Sequence, residues 1–240
     1  MLLEIQGKKY YIENDNNINC IMLYGSWARG ENDIYSDMDI LIITETITTK
    51  KYIIHDSAGN AIPEQGIVVY GKENIERMKK YTSLFLWHIK LEALYLYKKD
   101  FYMDEFLNSL PEYNKTSEDI FQYKVICGDI RELMEKKLFI TLFYEVTLLA
   151  SIVRNIAIAY CYINGKKCFG RNRPVIFLIK DYPFFSIEEY EELYVFRSLY
   201  NNSEDKSYRQ IDDEYIWKWI TIVENLIEIM EEKICTKKIC

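Results

Sequence analysis

One short segment of the sequence combines glycine, hydroxyl and guanidinium groups at a spacing suited to phosphate binding. It reads Gly25-Ser26-Trp27-Ala28-Arg29-Gly30 and follows the apolar run at 18–24. A glycine at the end of a strand allows a sharp turn and the close approach of a ligand, and Ser26 is expected to cap the helical turn that follows. The unpaired N–H groups of such a turn bind phosphate, and Arg29 can add a positive fork beside them.

A pair of carboxylates follows after a gap of five residues, in Ser36-Asp37-Met38-Asp39. Side chains alternate faces along a strand, so a strand over 37–44 would place Asp37 and Asp39 on one side and Met38 in the core. Two neighbouring carboxylates call for a cation, and oxygen ligands favour Mg²⁺. A phosphate cradle beside a metal-binding pair is the apparatus of phosphoryl or nucleotidyl transfer.

Together the two segments resemble the nucleotidyltransferase superfamily of DNA polymerase β, whose pattern is G-S-x-x-[RG]-G followed by [ST]-D-x-D. The specified positions that match are Gly25, Ser26, Arg29, Gly30, Ser36, Asp37 and Asp39. The resemblance covers roughly residues 18–71 and implies a small mixed sheet flanked by helices, two Mg²⁺ ions, and transfer of a nucleoside monophosphate with release of pyrophosphate. It implies that Asp37 and Asp39 are catalytic metal ligands, and that Gly25, Ser26, Arg29 and Ser36 bind the nucleotide.

Members of this superfamily usually supply a third carboxylate from a neighbouring strand, and here the match is weaker. Glu64, just before the apolar run at 66–71, is the first candidate for a catalytic metal ligand, and Asp56 is its rival. Aligning the apolar run itself places Gly66 where the acid belongs, so an incomplete metal site is the third alternative.

One further basic group is a candidate for contact with the nucleotide. Lys90 could reach the triphosphate from a helix over 82–98, or it could be a solvated lysine. His88 is expected in an aromatic core, and Lys90 and Glu92 are assigned to a different face of that helix. Arg29 could pair with Glu31 or Asp33 instead of binding phosphate.

The apolar patterning predicts an α+β protein with a polymerase-β-like mixed sheet followed by an α-helical bundle. Strand patterns occur at 2–13, 18–25, 37–44, 51–56 and 66–71, and helical patterns at 82–98, 116–137, 139–164 and 213–234. Shorter helices are expected after Pro174 and Ser186. We expect a nucleotidyltransferase domain over residues 1–98 and a helical domain over 99–240. The bundle resembles that of aminoglycoside-type and minimal nucleotidyltransferases.

The composition and net charge of the chain indicate which classes of partner and which location to expect. The chain of 240 residues has a net charge of −7, which disfavours a nucleic-acid track and favours cations. Its six cysteines lack the pairs and density of a disulfide or zinc framework, so a reducing, cytoplasmic location is expected. No membrane span is expected, because Glu145, Arg154 and Asn155 interrupt the most apolar helix.

These features predict a Mg²⁺-dependent nucleotidyltransferase that uses a nucleoside triphosphate and modifies a hydroxyl of a small cationic molecule, such as an aminoglycoside. Two alternatives stay open. The acceptor could be a protein or a tRNA, as in toxin and defence relatives. The domain could also be a catalytically weakened nucleotide-binding module, if the third acid is absent.

Overall fold

The β-branched runs of the first third form the sheet that carries the motif. In the computed structural model, which describes residues 1–32, 36–138, 142–202 and 211–239, the central strands are β3 (Ile18–Tyr24) and β4 (Asp39–Thr44). Strands β6 (Ile67–Gly71) and β7 (Leu94–Lys98) complete a sheet of order β6-β4-β3-β7. The β4–β6 pair is parallel and the other two pairs are antiparallel. The predicted mixed sheet is confirmed.

A second, antiparallel sheet covers one face of the first. It consists of β1 (Leu2–Ile5), β2 (Lys8–Ile12) and β5 (Ile54–Asp56) in the order β1-β2-β5. The segment with a strand pattern over 2–13 therefore forms a hairpin. Alternate side chains of the two sheets, among them Leu3, Ile5, Ile40 and Ile42, share one buried cluster.

Helices cover the opposite face of the four-stranded sheet. Helix α1 (Gly25–Arg29) continues from β3 and packs Trp27 and Ala28 against the cluster between the sheets, so the covering helices are α2 (Lys72–Lys80), α3 (Leu84–Glu92) and α4 (Tyr102–Asn108). Their apolar residues, such as Ile89 and Phe106, form a second cluster with Leu41 and Ile43 of β4. Odd-numbered side chains of β4 thus face these helices, and even-numbered ones face the second sheet.

The helix predicted over 82–98 was wrong in its second half. It ends at Glu92, and the alternating segment Leu94–Lys98 forms β7, paired with β3. Leucine and tyrosine satisfy a three- and four-residue spacing as well as a period of two, so the sequence pattern alone did not separate helix from strand. An open edge of β3 decided the outcome, because β7 satisfies its backbone hydrogen bonds.

The chain divides into two compact units, Met1–Tyr113 and Asn114–Cys240. The division lies later than the expected boundary between residues 98 and 99. The reason is α4, whose Met103, Phe106 and Leu107 are buried in the cluster that also contains β3 and β4. The loop that follows is tied to the same unit, since Trp87 Nε1 donates to Pro111 O at 2.9 Å.

The second unit is helical, as predicted. Its described helices are α5 (Thr116–Lys136), α6 (Phe143–Ile163), α7 (Arg173–Asp181), α8 (Ile187–Asn202) and α9 (Asp213–Ile239). The first three residues of the helix predicted over 139–164, residues 139–141, lie outside the described residues. Ser186 and Glu189 exchange hydrogen bonds of 2.7 and 3.2 Å, a capping box that begins α8.

Helix α6 is the core helix of this unit. It is long and apolar enough, by length and composition alone, to cross a membrane, and 67% of its most apolar window is buried. Arg154 interrupts the apolar surface, and its Nη2 donates to Phe169 O at 2.8 Å. The burial of these apolar residues is typical of a core helix that is surrounded by other helices of the same unit.

A buried polar network links the start of β3 to the end of β4 in the first unit. Asn19 of β3 is 0% exposed, and its Nδ2 lies 3.1 Å from both Glu45 Oε1 and a carboxylate oxygen of Asp100. Glu45 also accepts hydrogen bonds from Lys72 at 2.5 Å and Lys99 at 3.1 Å. One carboxylate therefore joins β3 and the end of β4 to α2 and the end of β7.

Replacing Glu45 by Gln should weaken the dependence of the unfolding free energy on pH between pH 5 and pH 2. The hydrogen bond from Lys72, against the opposing effect of burial, holds the pKa of Glu45 at about 2, below its ordinary value of 4.5. A lowered pKa in the folded state stabilises the protein above the unfolded pKa, and this stabilisation is lost as the pH falls toward 2. Urea unfolding between pH 5 and pH 2 measures this, with Glu4→Gln at an exposed position of β1 as the control. Equal slopes for wild type and Glu45→Gln would contradict the expectation.

Candidate functional site

The glycine turn and the second aspartate meet because β3 and β4 are antiparallel neighbours. Their register pairs Tyr24, the last residue of β3, with Asp39, the first residue of β4. Gly25 follows with φ +71°, and a Cβ built on it would lie 2.1 Å from Asp39 Oδ2. The carboxylate of Asp39 thus occupies the space that any other side chain at position 25 would fill. Both needs, the positive φ and the contact, are met only by glycine.

The two aspartates lie at the start of β4. Met38 and Ile40 are both buried in the cluster between the sheets, as the alternation predicted. The strand predicted over 37–44 begins only at Asp39, and Asp37 is an exposed residue of the segment before it. Two residues of chain separate their Cα atoms by at most about 7 Å. The burial of Tyr24, together with the charge of Asp39, raises the pKa of its phenol.

Ser26 does not cap α1, in contrast to the expectation. The helix begins at Gly25 with Tyr24 as its N-cap residue and without a side-chain cap, so Ser26 belongs to the first turn itself. The following residue, Trp27, does more than pack. Its Nε1 donates to Ser36 O at 3.1 Å and so ties the segment that carries Asp37 to α1. Sequence reasoning missed this contact, because nothing in the motif indicates which carbonyl an indole reaches.

Arg29 is held by carboxylates. Its Nε lies 2.7 Å from Glu31 and its Nη1 lies 2.7 Å from Glu92, the last residue of α3. The Glu31 alternative is therefore present, while Asp33 lies outside the described residues. The side chains of Arg29 and Glu92 are only 15% and 13% exposed. The guanidinium thus joins α1 to α3 in a largely buried ion pair.

Glu92 also contacts His88, one helical turn earlier, with 3.1 Å between Oε2 and Nε2. The assignment of Glu92 and His88 to different helix faces was wrong, because residues four apart lie on the same face. Burial opposes ionisation of Glu92, but the hydrogen bond from His88 and the charge of Arg29 lower its pKa to about 2. The ring of His88 lies edge-on to Tyr24, with 5.8 Å between the ring centroids.

Lys90 lies elsewhere on α3. Its Nζ is 4.8 Å from the centroid of the Trp87 ring, and the indole of Trp87 is itself fixed to Pro111. This contact is of the cation–π type, which suits a lysine stem lying along an apolar surface. The structure does not bring Lys90 to the glycine turn.

The position beside Asp39 on the neighbouring strand is a glycine. The parallel register of β4 and β6 pairs Ile40 with Ile67, so Gly66 is the neighbour of Asp39. A Cβ at Gly66 would lie 2.3 Å from Met38 O, so a side chain there requires the backbone to move. Of the three alternatives for the third acid, the local geometry agrees with an incomplete metal site.

The two candidate acids lie away from this position. Glu64 is in the 3-10 turn Glu64–Gly66, 68% exposed, and pairs with Lys51 at 2.5 Å. Asp56 ends β5 in the other sheet, where it accepts hydrogen bonds from the backbone of Ala58 and from Asn60. The hydrogen bond from the Asn60 side chain, with those from the backbone, lowers the pKa of Asp56. Both carboxylates thus have local structural partners.

A single divalent cation fits the residues present. Within the described part of the chain, no group of three His, Cys, Asp or Glu residues is placed to hold a metal ion. Mg²⁺ is commonly held by one or two carboxylates together with substrate phosphates, because it keeps much of its hydration shell. Asp37 and Asp39 beside the turn at Gly25 provide that donor set.

Gly25→Ala should abolish the site while costing little stability. The positive φ strains an alanine by about 1–2 kcal/mol, and the new Cβ must also displace the Asp39 carboxylate. The matched control is Gly59→Ala, where φ is +89° and nothing lies within 4 Å of the built Cβ. Both variants should lose unfolding free energy through the strained φ, and Gly25→Ala should lose more because it displaces Asp39, but only Gly25→Ala should lose binding of Mg²⁺-ATP in calorimetry. Equal binding by the two variants would refute the importance of the contact.

The segment that carries the motif also matches a known family. Residues 8–102 match the family described as polymerase beta, nucleotidyltransferase. A search of curated sequences gives no significant match. Among solved structures, a nucleotidyltransferase-like protein from Exiguobacterium sibiricum is similar, with 13% identity, a TM-score of 0.40, and coverage of 89% of this chain and 69% of that one.

Spectinomycin adenyltransferase AAD(9) from Enterococcus faecialis, solved with ATP and spectinomycin, is similar too. It shares 14% identity at a TM-score of 0.42, with 89% of this chain and 93% of that chain covered. The family match spans the four-stranded sheet together with the glycine turn and the aspartate segment of the motif. Residues 8–102 are therefore similar to the polymerase β family of nucleotidyltransferases, and a helical second unit follows them in the chain.

Proposed function

We propose that this protein transfers a nucleoside monophosphate from a nucleoside triphosphate to a hydroxyl of a small cationic acceptor, such as an aminoglycoside. The observation that carries the proposal is the contact between Gly25 and Asp39, with only 2.1 Å between a built Cβ and Oδ2. It joins the two halves of the motif at one place.

Different residues of the chain would bind the triphosphate, hold the metal ion and keep the metal-binding segment in place. The turn that begins at Gly25 offers amides to the triphosphate, and Ser26 lies in its first turn. Asp37 and Asp39 would hold one Mg²⁺, which when bound neutralises phosphate charge and orients the nucleotide. Trp27 would keep the Asp37 segment in place through its hydrogen bond to Ser36 O. This arrangement supplies positioning and charge, which are the main requirements of such transfers.

The reaction itself balances without a covalent enzyme intermediate. The acceptor oxygen forms a bond to the α-phosphorus, the bond from that phosphorus to the bridging oxygen breaks, and pyrophosphate leaves. The hydroxyl proton passes to a nearby base or to solvent. Because Gly66 stands beside Asp39, the described residues supply no third carboxylate there for this purpose.

The choice of acceptor rests on charge. A net charge of −7 favours a cationic small molecule over a polyanionic nucleic acid, because the protein's field attracts the first and repels the second. We also propose a cytoplasmic location, since the cysteines of the described residues are all free thiols.

Gly66 favours a second candidate function, a nucleotide-binding module that has lost turnover. A site with two carboxylates can bind Mg²⁺ and nucleotide but lacks the group that most readily takes the acceptor proton. The two functions share the binding step and differ only in the transfer step.

The experiment is an assay of purified protein with Mg²⁺ and each of ATP, CTP, GTP and UTP labelled at the α-phosphate. Label on members of an aminoglycoside panel supports the proposed function. Label on tRNA or protein would overturn the small-molecule acceptor, and nucleotide binding without any transfer would favour the second candidate. Absence of nucleotide binding would overturn both.

Asp39→Asn and Glu64→Gln should differ sharply. Loss of the Asp39 charge removes half of the metal-binding pair and should lower kcat/KM by about a hundredfold or more. Glu64 is solvent-exposed and paired with Lys51, so Glu64→Gln should change kcat/KM by less than about threefold. Steady-state kinetics with the labelled nucleotide measure both, and circular dichroism checks the fold. A loss of several orders of magnitude in Glu64→Gln would show that Glu64 is the third metal ligand after all.

A further inference from the structure

Two cysteines of the helical unit contact each other. Cys161 lies in the last turn of α6, and Cys168, seven residues later, lies in the loop between α6 and α7. Their residues are 0% and 6% exposed, and the two thiols are hydrogen-bonded to each other. This spacing is wider than that of a C-x-x-C motif, so the pair is a product of the fold and was not indicated by the sequence.

The turn that ends α6 directs the chain back toward the helix. Lys166 N donates to Cys161 O at 2.8 Å, and Gly165 N donates to Tyr162 O at 3.0 Å. Gly165 has a φ of +73°. These two hydrogen bonds and the left-handed glycine form a Schellman motif, which satisfies the last carbonyls of a helix and turns the chain away from its axis.

The loop then runs back along α6. Phe169, the residue after Cys168, accepts a hydrogen bond from Arg154 Nη2 at 2.8 Å. Arg154 precedes Cys161 by about two helical turns. On its other side, the Cys161 thiol lies 3.7 Å from Pro174 O at the start of α7. Backbone contacts before and after the loop therefore hold the two sulfurs beside each other.

The two thiols differ in reactivity. The hydrogen bond to Cys168, together with burial, raises the pKa of Cys161, so this group stays protonated and is a poor nucleophile. Cys168 is the more exposed of the two, and a thiol donor beside it stabilises its thiolate. The positive charges of Lys166 and Arg173 also favour a thiolate at this pair. Cys168 is therefore the sulfur that reacts first.

We propose that Cys161 and Cys168 are a redox-active thiol pair, which a low-molecular-weight disulfide such as oxidised glutathione converts to an intrachain disulfide. The Cys168 thiolate attacks one sulfur of the small disulfide, whose S–S bond breaks and releases one small thiolate. The Cys161 sulfur then attacks Cys168 in this mixed disulfide, the second small thiolate leaves, and the Cys161 proton passes to solvent. The protein pair is oxidised by two electrons, and the small disulfide is reduced to two thiols.

The surroundings of the pair suit such a bond. A disulfide requires Cβ atoms about 3.5–4.5 Å apart, and two thiols in hydrogen-bond contact are close to that separation. The exposed turn at residues 164–166, which contains Gly165, can absorb the small backbone shift that remains. In a reducing compartment, disulfides of this kind are transient and report oxidation. The bond would tie the loop at residues 164–172 to α6, and it does not depend on the proposed function.

Peptide mapping of the folded protein tests the proposal. The wild-type chain is incubated at neutral pH in mixtures of reduced and oxidised glutathione, quenched with acid, alkylated, digested and analysed by mass spectrometry. A peptide that joins Cys161 to Cys168 should increase with the oxidised fraction and disappear in excess reduced glutathione. Cys127, whose thiol lies 3.9 Å from Ile220 O, is an internal control and should stay alkylated. Absence of the cross-link, or its formation only in urea, would overturn the proposal.

Single serine variants test the order of the two steps. Cys161→Ser should stop at glutathione attached to Cys168, because the second attack is missing. Cys168→Ser should leave Cys161 unmodified, since Cys161 is fully buried. Equal attachment of glutathione in the two variants would overturn the assignment of Cys168 as the attacking sulfur. Cys235→Ser, at an exposed position of α9, is the matched control and should leave the cross-link unchanged. Circular dichroism checks the fold of each variant.

Hydrogen exchange measures the effect of the bond on the loop. Amides of residues 164–170 should exchange more slowly in the oxidised protein than in the reduced protein, because the cross-link opposes local opening of the loop. The Cys168→Ser variant, treated with the same glutathione mixtures, should show no such difference. Equal exchange of oxidised and reduced wild-type protein in this segment would overturn the proposal that the disulfide ties the loop to α6.

Discussion

The site depends on the close approach of the Asp39 carboxylate to Gly25, which has no side chain. Asp39 Oδ2 fills the space where a Cβ of residue 25 would be, so the glycine turn and the start of β4 are in direct contact. Antiparallel pairing of β3 with β4 produces this arrangement, because the end of one strand lies beside the start of the other. The rest of the first unit, two sheets and four helices, holds that pair of strand ends in register.

The sheet's two faces are used differently. One face packs against a second sheet through Ile40 and Ile42, and the other against helices through Leu41 and Ile43. Asp39 follows the alternation onto the helical side, where Tyr24, His88 and Glu92 also lie. These polar groups therefore lie at the edge of an apolar layer, where a charged group is stable only if it is paired. This need for pairing explains why Arg29 has carboxylate partners.

The motif and the strands near it could be predicted from the sequence, because glycine, serine and aspartate at fixed spacing have few alternative uses. The β3, β4 and β6 runs are apolar, β-branched and bounded by turn residues, which identifies buried strands. Segment 94–98 was missed because leucine and tyrosine fit both periods. The partners of Glu64 and Asp56 were not predictable either, since they depend on which turn of the chain each carboxylate meets.

The contacts of Glu92 could be predicted from the sequence only in part. Its relation to His88 was available from helical spacing, whereas its relation to Arg29 required knowing that α3 crosses the end of α1. Long-range ion pairs of this kind leave no local pattern, and only the fold brings residues so distant in the chain together.

The close approach of Gly66 to the Met38 carbonyl bears on how the site could change over evolution. An acid at position 66 would be the simplest route to a three-carboxylate centre, but the 2.3 Å left for a Cβ closes that route to any single substitution. Gaining such an acid requires a shift of the neighbouring main chain, for instance through an insertion in the preceding turn. Backbone packing, rather than the choice of side chain, thus keeps a carboxylate out of position 66.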